Sequence, residues 1–151
     1  MSYMHWDSSL SIGIDIIDEQ HKQIVDYINK LDTAIKEHDN HAVKYVLDEL
    51  VNYTRSHFYF EESLMEKGNY PHFAAHKQVH ESFTNRINEY VEKFEHGAEV
   101  GRKLLPILRI WLTSHIKRDD KDYGPWATEA LEKGDFGHQD WLNKSLSSFF
   151  E

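Results

Sequence analysis

The chain contains no cysteine. That absence removes disulfides, iron–sulfur clusters, thiolate zinc sites and thiol catalysis together. Seven glycines and three prolines in 151 residues leave little material for turns and disfavour an all-β fold of many short strands. No apolar run approaches the roughly 20 residues needed to cross a bilayer, so no membrane span is expected. The opening Met1-Ser-Tyr-Met-His-Trp6 lacks the basic-then-apolar pattern of a secretory signal, and a cytoplasmic location is the expectation. Lys and Arg total 17 against 26 Asp and Glu, a formal net charge of −9. No basic stripe stands out, so nucleic acid, whose phosphates need clustered cations, is not an expected partner.

What is present is a globular composition, 40% hydrophobic and 28% charged, in a chain long enough for one domain with a real core. The unusual feature is histidine, with 11 residues. Exposed histidines are common, so their positions must decide what they mean.

Four segments carry apolar residues at helical spacing. The first opens near Asp18 or Glu19 and presents Ile24, Val25, Ile28, Leu31 and Ile35; Asp39-Asn40 reads as the turn after it. The second presents Val43, Val46, Leu47, Leu50, Thr54, Leu64 and Met65 and ends at Gly68-Asn69. Pro71 suits the first turn of a third helix, which presents Phe73, Phe83, Ile87, Tyr90 and Phe94 and stops around His96-Gly97. The fourth presents Val100, Leu104, Leu108, Trp111 and Leu112, and Pro106 within it predicts a kink or a late start. Four amphipathic helices with short connections imply an all-α fold, an antiparallel up-down four-helix bundle over about residues 18–123.

Residues 1–17 form an extended N-terminal lead whose Trp6, Ile12, Ile14, Ile16 and Ile17 help cover the bundle. Gly124-Pro125 and Gly134–Gly137 read as breaks. Leu142, Leu146, Phe149 and Phe150 then suggest a short helix in a C-terminal extension, 124–151. That extension packs on the bundle or, alternatively, docks a protein partner. The whole chain, 1–151, is read as a single domain.

The histidines fall on these stripes. His76 and His80 stand four apart among Phe73, Phe83 and Ile87, one turn from each other on the inward face. His57 continues the line of Leu50 and Thr54, and Glu61 follows it by four. His21 precedes Ile24, Val25 and Ile28, and His115 follows Leu104, Leu108 and Trp111. One buried histidine is usually an ordinary core residue with a backbone partner. Five imidazoles and a carboxylate on the buried faces of four helices are different, because leaving the charged group unpaired costs several kcal/mol. A metal site resolves the cost. By contrast His5, His38, His41, His72, His96 and His138 continue no stripe and read as solvated.

A further acid follows His115. Four residues return to the same helix face and favour Asp119, whereas five overshoot by roughly 140° and disfavour Asp120; near a fraying helix end either can turn inward. Seven side chains exceed the needs of one tetrahedral zinc or one octahedral ion. Two ions bridged by the carboxylates satisfy the count, with three histidines on one ion and two on the other. With one bridging oxygen, the second ion keeps an open position. Imidazole with carboxylate suits iron, with manganese and zinc still compatible.

These residues resemble the hemerythrins, particularly the single-domain bacterial kind. The matching motifs are Asp18-Glu-Gln-His21, His57-Phe-Tyr-Phe-Glu61, His76-Lys-Gln-Val-His80 and Trp111-Leu-Thr-Ser-His115-Ile-Lys-Arg-Asp119-Asp120. The family's last motif is His-x-x-x-x-Asp, commonly with Tyr three residues later. Tyr123 stands there, so the resemblance selects Asp120 over the spacing. It implies two non-haem iron ions, His76, His80 and His115 on one and His21 and His57 on the other. Glu61, Asp120 and an oxo or hydroxo oxygen would bridge them. Molecular oxygen would bind reversibly at the two-histidine iron.

Residues beside the ligands, Ile24, Phe58, Trp111 and Leu112, are candidates for the wall of an oxygen pocket. Thr113 joins them as a departure, since the family often has an aliphatic residue two before the fourth-helix histidine. The stripes carry no second acid beyond Glu61 and the chain has no Glu-x-x-His, the pattern of carboxylate-rich di-iron oxidases. The expectation is therefore an oxygen-binding protein for transport or storage, a monomer and not an enzyme. The alternatives are an oxygen or redox sensor acting through a partner, or a di-iron oxidase, peroxidase or iron store.

Overall fold

The computed structural model describes residues 2–132. Five α-helices run in chain order: α1 Asp15–Lys36, α2 Asn40–Lys67, α3 Phe73–Glu95, α4 Gly101–Ser114 and α5 Lys121–Glu132. A six-residue π-helical segment, His115–Asp120, joins α4 to α5 without a break. The first four helices form the up-down bundle that the periodicity predicts. Helix α1 packs on α2 and α4, and α2 packs on α3 and also on α5.

The N-terminal lead is shorter than expected, because α1 begins at Asp15 and takes Ile16 and Ile17 into the helix. A short 3-10 turn at Ser8–Leu10 precedes it, capped by the Asp7 carboxylate. The lead is tied down by hydrogen bonds. The Asn29 side chain accepts from the Met4 N–H at 2.7 Å and donates to the Met4 carbonyl at 2.9 Å. Asp18, itself buried, accepts from the Ser11 hydroxyl at 2.6 Å and the Ile12 N–H at 2.9 Å. Met4 and Leu10, absent from the sequence-based list, are buried with the lead's Ile14.

The α1–α2 connection turns at His38, which adopts a left-handed φ of 56°, and Asp39 caps α2 by accepting from the Ala42 N–H at 3.1 Å. Pro71 stands two residues ahead of α3 and not in its first turn, with His72 at the cap position. Pro106 does not delay α4, which begins at Gly101. Nor does Gly124-Pro125 end the last rod: both lie inside α5. Local preference loses here to burial, since Tyr123, Ala127 and Ala130 are packed with Phe60, Leu64 and Met65 of α2. Gly68 permits the approach, because a Cβ there would sit 2.4 Å from the Trp126 carbonyl oxygen. The C-terminal helix expected around Leu142–Phe150, and His138, lie outside the described residues.

The core divides into two apolar clusters. The larger gathers residues such as Ile28, Leu31, Leu47, Leu50, Phe83, Leu104 and Leu108. The smaller gathers Ile17, Phe60, Leu64, Met65, Tyr123 and Ala127. His21, His57, Glu61 and Asp120 fall in the chain between members of the two, and they are fully buried polar groups between apolar floors.

Candidate metal centre

Helices α1, α2 and α3 and the C-terminal end of α4 deliver the histidines through plain helical spacing. His21 is 0% exposed, His57 1%, His80 1%, His115 2% and His76 4%; Glu61 and Asp120 are both 0%. The Nε2 atoms converge. That of His76 lies 3.1 Å from His80 Nε2, which is 3.0 Å from His115 Nε2. Asp120 Oδ1 stands 3.2 Å from His76 and 3.1 Å from His115, while its Oδ2 stands 3.1 Å from His21. Glu61 Oε1 lies 3.0 Å from His57 and 3.6 Å from His80. Two overlapping donor sets result, Glu61-His76-His80-His115-Asp120 and His21-His57-Glu61-Asp120, and both carboxylates belong to both sets.

The backbone decides which acid after His115 faces the imidazoles. Over His115–Asp120 the chain is π-helical, with hydrogen bonds reaching five residues instead of four. Five residues then come back to the same face, and Asp120 points inward beside the imidazoles. Asp119, which α-helical spacing prefers, takes the place behind His115 instead, accepting from its Nδ1 at 2.9 Å.

Hydrogen bonding on the outer ring nitrogens determines what the inner ones can do. His80 Nδ1 donates to Glu62 at 2.8 Å and His115 Nδ1 to Asp119 at 2.9 Å. A neutral imidazole has one N–H, so both Nε2 atoms are left as bare lone pairs that face each other at 3.0 Å. Something positive must lie between them. Glu61 Oε1, both Asp120 oxygens and His21 Nε2 are likewise buried without a hydrogen-bond partner, despite their short separations. Cis donors on an octahedral ion with bonds of about 2.1 Å stand about 3.0 Å apart, which the closest contacts match. The donor set fits a cation with nitrogen and oxygen ligands.

Electrostatics agree. Burial and the adjacent Asp120 charge push the Glu61 pKa up, but His57 and His21 outweigh them and hold it at about 2. Burial opposes ionisation of Asp120 too, yet His115, His21 and His76 hold it well below the usual carboxylate range. Burial pulls His115 down, and the Asp120 charge with the bond to Asp119 overcomes this and raises it to about 10. His80 is lowered by its burial, against the bond to Glu62 and the Glu61 charge, which raise it. Without metal, then, a proton on His115 supplies the missing positive charge, and a metal ion would displace it.

Tyr123 donates its hydroxyl hydrogen bond to Glu61 Oε2 from a wholly buried position. Burial, followed by the Glu61 and Asp120 charges, pushes its pKa well above the ordinary phenol value, so it stays a donor. Aromatic rings wall the other side. Phe58 stacks on His80 with ring centroids 3.8 Å apart, and Trp111 stacks on His115 at 4.3 Å and on Phe83 at 3.7 Å. Ile24 and Leu112 are buried in the same apolar cluster as Phe58. Thr113 is half-buried, and two residues of α-helix turn it about 200° from His115.

The solvated histidines expected from the sequence are exposed where described: His5, His38, His41, His72 and His96. Sequence reasoning missed Glu62, which lies one residue off the stripe and meets His80 only across two helices. It also gave no role to Gln20, whose Oε1 accepts from His57 Nδ1 at 2.6 Å.

An all-α bundle whose centre is a buried ring of histidines sharing two carboxylates defines a cation-binding helical protein. Residues 12–127 match the family model described as the hemerythrin HHE cation binding domain. The chain is 42% identical to a bacteriohemerythrin of Stenotrophomonas maltophilia (strain R551-3) and 40% identical to one of Pseudomonas aeruginosa (strain LESB58), each over 99% of both chains. A crystal structure of wild-type hemerythrin superposes with a TM-score of 0.79 at 36% identity, covering 84% of this chain and 99% of that one. The chain belongs to the hemerythrin family, and its buried His/Glu/Asp cluster is a non-haem iron-binding site. Among the described residues no helix is long and apolar enough to cross a membrane.

Proposed function

We propose that the protein binds molecular oxygen reversibly at a pair of non-haem irons, for transport or storage. His76, His80 and His115 would hold one iron and His21 and His57 the other. Glu61 and Asp120, with an oxo or hydroxo oxygen, would bridge them. The observation that carries this reading is the pair of donor sets sharing both carboxylates, since one ion has no use for seven ligands. Held there, a reduced iron pair would supply the two electrons that reversible oxygen binding requires.

The protein's own residues do the rest. The imidazoles of α1, α2, α3 and the π-helical segment would hold the ions, and the two carboxylates would balance their charge. Tyr123 keeps its proton on the phenol oxygen and directs it at Glu61 Oε2. Phe58, Trp111, Leu112 and Ile24 form an apolar wall that excludes water and withholds the protons and reductants an oxidase would need. Binding without turnover follows from that dryness, so the protein acts as a carrier and not as an enzyme. On this reading residues 1–151 form one domain, working as a monomer in the cytoplasm, and a protein partner would meet the part of the 124–151 extension beyond the α5 residues packed on α2.

The test is spectroscopic. Reduced, iron-loaded protein is exposed to oxygen and then degassed while the iron–oxygen absorption bands are followed. Bands that appear and disappear over repeated cycles are expected. Immediate irreversible oxidation, or steady consumption of oxygen with added reductant, would defeat the carrier reading.

A further inference from the structure

The outer nitrogens of the five imidazoles do not face alike surroundings. On the three-histidine side, two are backed by carboxylates: His80 Nδ1 by Glu62 at 2.8 Å and His115 Nδ1 by Asp119 at 2.9 Å. On the two-histidine side, His57 Nδ1 is backed by the neutral amide of Gln20 at 2.6 Å, and His21 Nδ1 has no hydrogen-bond partner among the described residues. Gln20 is buried and leaves its own Nε2 unpartnered while presenting Oε1 to His57. Glu62 and Asp119 are partly buried, their side chains 17% and 22% exposed, so water screens their charges only in part.

An imidazole that donates to a carboxylate carries more negative charge on its opposite nitrogen than one that donates to an amide, and it is the stronger metal ligand. Residues behind the ligands typically alter metal affinity by about 10- to 100-fold. The three-histidine side has both more ligands and two anionic backers. The two-histidine side has neither advantage.

We infer that Glu62 and Asp119 on one side and Gln20 on the other make the two metal positions unequal by design: the His76-His80-His115 ion is held tightly and the His21-His57 ion is the exchangeable one. This rests on the two-iron reading above. Glu62, Asp119 and Gln20 are positioning residues that act through the imidazoles and touch no metal. The iron next to the neutral amide enters last and leaves first, and the tight ion keeps the ring of carboxylates and histidines assembled while it is away. A protein that loses iron would thus pass through a one-iron form that can be refilled without rebuilding the site.

The experiment is iron release from the fully loaded ferrous protein into an excess of a colorimetric ferrous chelator without oxygen. Wild type should release iron in two phases of equal amplitude. Glu62→Gln and Asp119→Asn keep an oxygen to accept the Nδ1 hydrogen bond but remove the charge. Each should speed the slow phase by roughly tenfold and leave the fast phase alone. Gln20→Glu adds the missing charge and should slow the fast phase by a similar factor, narrowing the gap.

A single phase in wild type, acceleration of both phases by Glu62→Gln, or no response to Gln20→Glu would each overturn the inference. If Glu62→Ala accelerates release while Glu62→Gln matches wild type, Glu62 only orients His80 and the charge argument fails. Circular dichroism checks that each variant keeps its helices; should one variant not fold, the other two carry the test. A starting content of one iron per chain would instead defeat the two-iron reading itself, so the two failures are distinguishable.

Discussion

Replacing Asp120 with alanine should strip the metal, and replacing Asp119 should only weaken its hold. The two residues are adjacent, and their difference rests wholly on the π-helical segment. Asp120 is 0% exposed, with its oxygens 3.1 Å from His21, 3.2 Å from His76 and 3.1 Å from His115. Its loss removes an oxygen donor from both donor sets and leaves three imidazoles without their balancing charge. Breaking a buried ionic contact of this kind costs about 3–5 kcal/mol, which corresponds to roughly a hundred- to several-thousand-fold in metal affinity at about 1.4 kcal/mol per tenfold. Asp119 lies behind His115 and is half-buried, so its loss should cost roughly 10- to 100-fold. Iron per chain, measured by elemental analysis after dialysis against graded chelator, separates these ranges. The reasoning is refuted if Asp119→Ala loses iron at lower chelator than Asp120→Ala, for the segment would then be α-helical in solution.

His80→Ala should lose iron under dialysis while His96→Ala retains it, because His96 is exposed and bonds only its own helix, through Glu92; equal retention by both would count against the site. Tyr123→Phe leaves Glu61 Oε2 buried without its donor and should lower the stability of the metal-free protein by about 1–3 kcal/mol in urea unfolding, whereas an unchanged midpoint would mean the phenol contributes nothing. Metal-free protein should lose stability as pH rises from about 6.5 towards 10. His115 is raised to about 10 when folded, so its contribution is complete below the unfolded value and disappears as it deprotonates; urea midpoints across that range check the sign, and a rise instead of a fall would contradict it. Thr113→Val should leave the oxygen-cycling bands and their decay unchanged, since Thr113 faces about 200° away from His115; a several-fold change in decay would place it in the pocket.

The histidine ring was legible in the sequence because α1, α2 and α3 keep strict α-helical spacing. His21, His57, Glu61, His76 and His80 therefore fall on stripes that apolar neighbours mark out. His115 was legible for the same reason, as the last residue of such a stripe. Asp120 was not, because the π-helical turn inserts one residue and nothing in Ile116-Lys-Arg-Asp119 announces it; only the family motif selected it. The Gly124-Pro125 break was misread for a related reason. Backbone preference is a local signal, and here the burial of Tyr123 and Ala127 against α2 overrides it. Glu62 and Gln20 were invisible as functional residues, since their partners lie on other helices and no periodicity links them.

Iron and oxygen stoichiometry tests the two-iron carrier most directly. Reduced protein should contain two irons per chain and take up one molecule of oxygen for those two irons, recovered as oxygen on degassing with the iron content unchanged. One iron per chain, or oxygen taken up and returned only as peroxide or water, would contradict it.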